Sequence, residues 1–239
     1  MCPHRHHAVT AVLPVRWVAA CAAAEGVGMT AAAAAARAAD AVVARPDRWA
    51  TTGTALAIVV AGGLVEGLAL GWAQSGQLRR RLPDLRRSRY VLSTVLVAGL
   101  GWAAASTPAV LAPDDGSGAA PPLPLVLLGA AGIGLVMGPV LGAVQGLAMR
   151  GAAARPMRWV VANTCAWPPA MVVIFLGATS VGASWPTWGV VALGAATGAA
   201  AGTVLGLVTA AFLPDPAHGT GSGRHSRAQV PVTRSATPK

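Results

Sequence analysis

Glu25 and Glu66 are acidic side chains that stand inside long apolar runs of this sequence. Glu66 lies twelve residues from either end of the run 54–78, and Glu25 lies eight residues past Trp17 in the run 17–36. A charge at the centre of a membrane helix costs about 2.5–3.5 kcal/mol on insertion scales, so a carboxyl there faces a bundle interior or a wet cavity and is by default a functional-site hypothesis. Two carboxyls that meet disfavour each other's ionisation and tend to share a proton. The chemistry on offer is reversible protonation coupled to movement of a solute. The plainer reading of either residue is a protonated Glu that donates one interhelical hydrogen bond.

Other polar groups are sparse. Gln74 and Gln145 close two of three Gly-rich blocks, and Thr209 closes the third. They are expected to hydrogen-bond between helices, or, as the sharper alternative, to form a threefold polar ring at one mouth of a bundle. Asn163, Thr164 and Cys165 precede Pro168-Pro169, and Gly138-Pro139 stands mid-run in the fourth apolar segment. Proline removes a backbone donor and kinks a helix, and interrupted membrane helices expose carbonyls to cavities in transporters. A structural kink is the commoner outcome. No His falls in an apolar run, so neither a Ser-His-Asp triad nor an H-E-x-x-H zinc site can form there. No Gly-rich loop ends in Lys-Ser or Lys-Thr to cradle a phosphate. The chain is therefore expected not to be an enzyme, and no cofactor is expected. Cys2, His4, His6 and His7 crowd the start, but a short His tract is compositional evidence only; a basic tail, and no metal site, is expected.

Composition points to the solvent in which these residues work. Hydrophobic residues make up 54% of the 239, and 11% are charged, against roughly 25% in a soluble domain. The formal net charge of +10 would suit nucleic acid. The arginines, however, fall in short clusters between apolar runs, as the positive-inside rule has it, so no nucleic-acid partner is expected. The three cysteines show no paired spacing and imply no disulfide framework.

A span needs about 20 predominantly apolar residues. Six runs qualify, approximately 17–36, 54–78, 90–112, 123–149, 159–183 and 186–213. The predicted fold is all-α, an integral membrane bundle of six transmembrane helices over 16–213. Tails are predicted at 1–15 and, disordered, at 214–239. The loop after the second run holds Arg79, Arg80, Arg81, Arg86, Arg87 and Arg89, and the loop after the fourth holds Arg150, Arg155 and Arg158. Both are predicted to be cytoplasmic, the first touching anionic lipid headgroups. Pro113-Asp114-Asp115-Gly116, with no basic residue, is predicted to be outside. Alternation then puts both termini in the cytoplasm and 15 of the 18 Lys and Arg inside, a balance that an odd number of spans would break. Trp17, Tyr90 and Trp159 begin the odd-numbered runs, while Trp49, Trp185 and Trp188 fall near the other ends; all are expected at the membrane interfaces.

The glycines repeat. Gly63, Gly67 and Gly71 recur as Gly134, Gly138 and Gly142, and again as Gly198, Gly202 and Gly206, at spacings of 71 and then 64 residues. Glycines four apart share a helix face and let a neighbouring backbone approach, so helix packing is their predicted role. The odd runs match too, in Arg16-Trp17-Val18, Arg89-Tyr90-Val91 and Arg158-Trp159-Val160. Three tandem helical hairpins follow, each an aromatic-led helix and a Gly-rich return, related by a threefold axis along the membrane normal as parallel repeats.

The stretch Trp159-Val160-Val161-Ala162-Asn163, the G-x-x-x-G-x-x-Q blocks and the arginines after them resemble a loose group of bacterial multi-pass membrane proteins with no assigned activity, and the Ala- and Arg-rich composition is similar to that of high-GC actinobacterial sequences. The resemblance implies packing and topology in a bacterial cytoplasmic membrane and imports no activity. Mitochondrial-type carriers also have three two-helix repeats, but their acidic-basic signature after a proline in each odd helix is missing. Two functional readings follow. The first is a transporter-like core, proton-linked through Glu25 and Glu66, with Asn163, Gln74 and Gln145 as further site candidates. The second is a scaffold or accessory subunit whose Gly faces bind helices of other membrane proteins and whose Arg loop binds anionic lipid or a cytoplasmic protein.

Overall fold

The computed structural model describes residues 5–43, 48–111, 121–182 and 184–217. Six helices account for nearly all of them: α1 (Arg5–Val43), α2 (Arg48–Leu78), α3 (Arg87–Leu111), α4 (Leu123–Ala148), α5 (Arg158–Thr179) and α6 (Thr187–Ala210). Each is long and apolar enough to cross a membrane, since 22 residues, the shortest, rise about 33 Å against a hydrocarbon core of about 30 Å. Among the described residues there is no strand, only one isolated bridge between Ala153 and Pro216. The protein is an all-helical, six-span integral membrane protein. Large apolar side chains such as Leu92, Leu96 and Leu100 on α3 and Leu128, Leu135 and Val136 on α4 are exposed. A soluble surface would not leave such rows uncovered; lipid covers them at no cost.

α1 runs beyond the predicted span at both ends, and at its C-terminal end the Ala-rich stretch 37–43 keeps helix propensity past the span. α4 and α5 pass through Pro139 and through Pro168-Pro169 without a break. The predicted tail from Pro214 starts with a segment that pairs with the α4–α5 loop. There Ala154 N–H donates to the Asp215 carbonyl at 3.0 Å, and Ala217 N–H donates to the Ala152 carbonyl at 2.8 Å. Residues 1–4, the 112–120 loop with its Pro113-Asp114-Asp115-Gly116, and 218–239 lie outside the described residues.

The helices form a ring in which chain neighbours are spatial neighbours and α6 closes on α1. The glycine faces show which pairs are tight. A Cβ on Gly67 would run into Val95 and Ala98 of α3; on Gly138 and Gly142, into the backbone at Asn163 and Val160 of α5; on Gly202 and Gly206, into the backbone at Cys21–Ala22 and Val18 of α1. The repeated glycine stripes thus pack α2–α3, α4–α5 and α6–α1, and α1–α2 is equally close, with Gly28 against Glu66 and Gly62 against Ala32. The hairpins 1–2, 3–4 and 5–6 expected from the sequence are not the units that the stripes pack, and α3 touches α4 least of all neighbours. The reason is directional: each glycine stripe faces the odd helix that follows it around the ring.

The aromatic expectation is corrected as well. Trp17, Tyr90 and Trp159 are buried to within 1% and do not sit in a lipid interface. Each finds a hydrogen-bond partner on the neighbouring even helix, which makes an interior position favourable for an indole or phenol. Trp185 and Trp188 are exposed, as expected near the opposite end; the Trp49 side chain is outside the description.

Below this level the loops fold inward. Leu78, Leu82, Leu85, Met149, Ala152 and Ala153 pack with the three buried aromatics as one apolar cluster. Arg16, Arg79, Arg80, Arg86, Arg89, Arg150, Arg155 and Arg158 remain exposed around it. Arg87 instead lies over Trp72, 3.5 Å from the ring centroid, and donates to the Trp72 carbonyl at 3.2 Å.

Candidate functional site

Three layers stack above the loop cluster. The first is a buried polar ring. Trp17 Nε1 donates to Thr209 Oγ1 at 2.8 Å, Tyr90 OH to Gln74 Oε1 at 2.9 Å, and Trp159 Nε1 to Gln145 Oε1 at 2.7 Å. One aromatic from each odd helix thus meets the residue that closes each glycine block. Gln145 is the hub: its amide also donates to Thr94 Oγ1 at 2.9 Å and to Gln74 Oε1 at 3.3 Å. Trp17 and Trp159 meet edge to face at 5.7 Å. Gln74, Gln145 and Thr209 are 3% exposed or less, so the ring seals the arginine end.

The second layer holds the carboxyls. Glu66 stands eight residues, about 12 Å of helix rise, from Gln74. Its stem packs on Gly28 of α1, where a Cβ would come within 2.6 Å of Glu66 Cγ. Its Oε2 accepts the indole N–H of Trp102 at 2.5 Å. Glu25 is wholly buried, and among the described residues no N–H or hydroxyl reaches its oxygens; its polar neighbour is the carboxyl of Glu66, within reach of a shared proton. The two carboxyls are close enough to feel each other's charge. The single ion pair among the described residues is Arg37–Asp40, so no basic side chain there neutralises either Glu.

The third layer is a cavity of about 450 Å³. Thr94, Leu70, Leu141 and Trp167 line its deep part, and Arg37, Asp40 and Val181 line it at the far end of the helices. Asp40 is 72% exposed, so the cavity reaches the surface there. Glu66 lines it; Glu25 stands behind the lining.

The sequence candidates divide accordingly. Glu25 and Glu66 come together. Gln74 and Gln145 come together too, in the seal and not in the cavity. Asn163 does neither: its amide donates to the Trp159 carbonyl at 2.9 Å, and its Oδ1 accepts Trp167 Nε1 at 3.1 Å, holding a lining indole from behind. The arginines of 79–89 ring the arginine end, away from the cavity. Trp102, Trp167 and Thr94 are site residues that sequence reasoning missed. A Trp inside an apolar run reads as core or anchor, and only the register between helices brings Trp102 to Glu66. Compared with known proteins, the chain matches no family model, no curated protein and no solved structure.

Proposed function

We propose that this chain is a proton-linked carrier of a bacterial cytoplasmic membrane, with the arginine end and both termini in the cytoplasm. One observation carries the reading: Glu66 forms part of the wall of a cavity of about 450 Å³, with the carboxyl of Glu25 against it and no basic side chain beside either. A packed scaffold has no use for two adjoining carboxyls without a basic partner at the middle of the bilayer, because each costs insertion free energy. A carrier uses them: a proton neutralises the pair while the helices rearrange, and is given up when a solute or water reaches the cavity. The polar ring is the gate in this reading. It closes the cytoplasmic side while the cavity stands toward the outside, and its hydrogen bonds exchange with one another when the helices rock.

The test is water access. In a variant lacking Cys2, Cys21 and Cys165, single cysteines replace Ala98 and Ala105 of the cavity lining, Leu96 of the lipid face and Arg80 of the loop. A membrane-impermeant thiol reagent applied outside intact cells is expected to label the two cavity positions, to spare Leu96→Cys, and to reach Arg80→Cys only after lysis. Protection of both cavity positions would mean a dry bundle and end the carrier reading. Labelling of Arg80→Cys from outside would invert the topology.

A further inference from the structure

We infer that the cavity takes a lipophilic organic monocation, with Glu66 as its counter-charge. The inference rests on the carrier reading and names the substrate class for that same site. At about 450 Å³ the cavity falls in the range of roughly 300–1,000 Å³ that accommodates ligands of drug size, far more than a proton or a bare metal ion needs. Its walls are apolar side chains with Met29, Met137 and Met171, and the aromatic rings of Trp102, Trp167 and Phe175. Thioethers are polarisable and adaptable, and aromatic faces attract cations, more strongly where water is excluded.

The lining is as informative in what it withholds. Its threonine hydroxyls are turned to their own helices: Thr94 donates to the Tyr90 carbonyl and Thr197 to the Leu193 carbonyl. A sugar, a zwitterionic amino acid or a hydrated inorganic ion would lose water here without finding donors and acceptors to replace it. An anion would face two carboxyls. Arg37 is the one basic residue among those lining the cavity. It stands at the rim, paired with Asp40 and donating to the Trp185 carbonyl at 3.0 Å. Gly28 packs on Glu66, and Arg37 is nine residues farther along α1, about 14 Å of rise away. A cation that passes the rim therefore meets, in the wall of an apolar sleeve, the carboxylate that no protein cation balances.

Proton and substrate then compete for one charge. The titratable groups around Glu66 are Glu25 and Cys21 on α1 and Tyr90 on α3, with Arg37 and Asp40 at the rim; α4, α5 and α6 present none among the residues described around the cavity and ring. An organic cation seated against ionised Glu66 displaces the proton the carboxyl pair held, and reprotonation releases the cation.

The experiment is equilibrium dialysis of the purified full-length protein in detergent with radiolabelled tetraphenylphosphonium, scoring only saturable binding. One site per chain is expected. The anion of the same shape, tetraphenylborate, is expected to displace it about tenfold less well or worse, and affinity is expected to fall about tenfold or more between about pH 8 and about pH 5. Glu66→Gln is expected to lose about tenfold at the higher pH and to lose the pH dependence, while Glu66→Asp keeps both in weakened form. The thermal melting of each variant is followed in parallel. If Glu66→Gln does not fold, the wild-type pH dependence and the phosphonium-to-borate preference decide. Absence of saturable binding, equal displacement by the borate, or wild-type binding by a folded Glu66→Gln would each overturn the inference. Thiol labelling at Ala98→Cys and Ala105→Cys separates the two failures. Labelling without phosphonium binding removes the substrate class and leaves the carrier; protection removes both.

Discussion

Two buried polar residues in this bundle carry opposite energetic signs. Gln145 satisfies Trp159, Thr94 and Gln74 at once, whereas Glu25 is buried with only another carboxyl, Glu66, as its polar neighbour. An unsatisfied buried polar group costs about 1–3 kcal/mol. Glu25→Met, similar in length and apolar, is therefore expected to stabilise the bundle in detergent by about 1–3 kcal/mol and, in the carrier reading, to trade function for stability. Gln145→Leu strands the Trp159 indole and is expected to destabilise by about 1–3 kcal/mol. Thermal melting of the two purified variants checks the pair, and a Glu25→Met variant less stable than wild type would show that the contact with Glu66 more than offsets the cost of burying the carboxyl. At this scale the sequence is readable where a residue type clashes with its surroundings. A carboxyl in an apolar run stands out alone. Trp102 does not, because its meaning depends on Glu66 coming within hydrogen-bonding distance. Trp17, Tyr90 and Trp159 mislead for the same reason: a helix-end aromatic looks interfacial until a partner such as Thr209, 192 residues away, is seen to take its N–H.

Between elements, the glycines decide register. A Cβ on Gly138 would come within 2.6 Å of the Asn163 carbonyl oxygen, a backbone atom that cannot swing aside, whereas Gly132 one face away meets nothing within 4 Å. Gly138→Ala must push α4 off α5, and overpacking of that kind costs about 1–3 kcal/mol. Gly132→Ala is expected to melt like wild type. Equal melting of the two variants would mean that the α4–α5 approach is slack. The glycine spacing announced close packing but not the partner. A GxxxG face says that some backbone comes near; it is equally compatible with the helix before or the helix after. That choice depends on the rotation of each helix about its axis, which in lipid has no strong hydrophobic side to fix it, since apolar faces gain nothing by turning inward.

For the molecule as a whole, ring closure is what the linear chain concealed. Two of the tight pairs are joined by arginine loops, but the third unites the first and last helices, so α6 supplies its glycine face to a helix from the other end of the sequence. The ring thus has one strong closure, α6–α1, and one weak seam, α3–α4. If the chain is cut within the loop between α3 and α4 and the two halves are co-expressed, reassembly has to rely on α6–α1. Gly202 lies at the heart of that contact, against the Cys21 carbonyl, while Gly101 meets across the seam only the flexible end of Met137. Gly202→Leu is therefore expected to abolish co-purification of the halves, and Gly101→Leu to leave it nearly intact, because the methionine can move away. The reverse order would place the closure at the seam. The expected order would instead support a ring held together from α3 through α2, α1, α6 and α5 to α4, loose only at α3–α4. The seam is then the place where the cavity wall, formed there by Gly101, Ala105, Ile133 and Met137, is least firmly held.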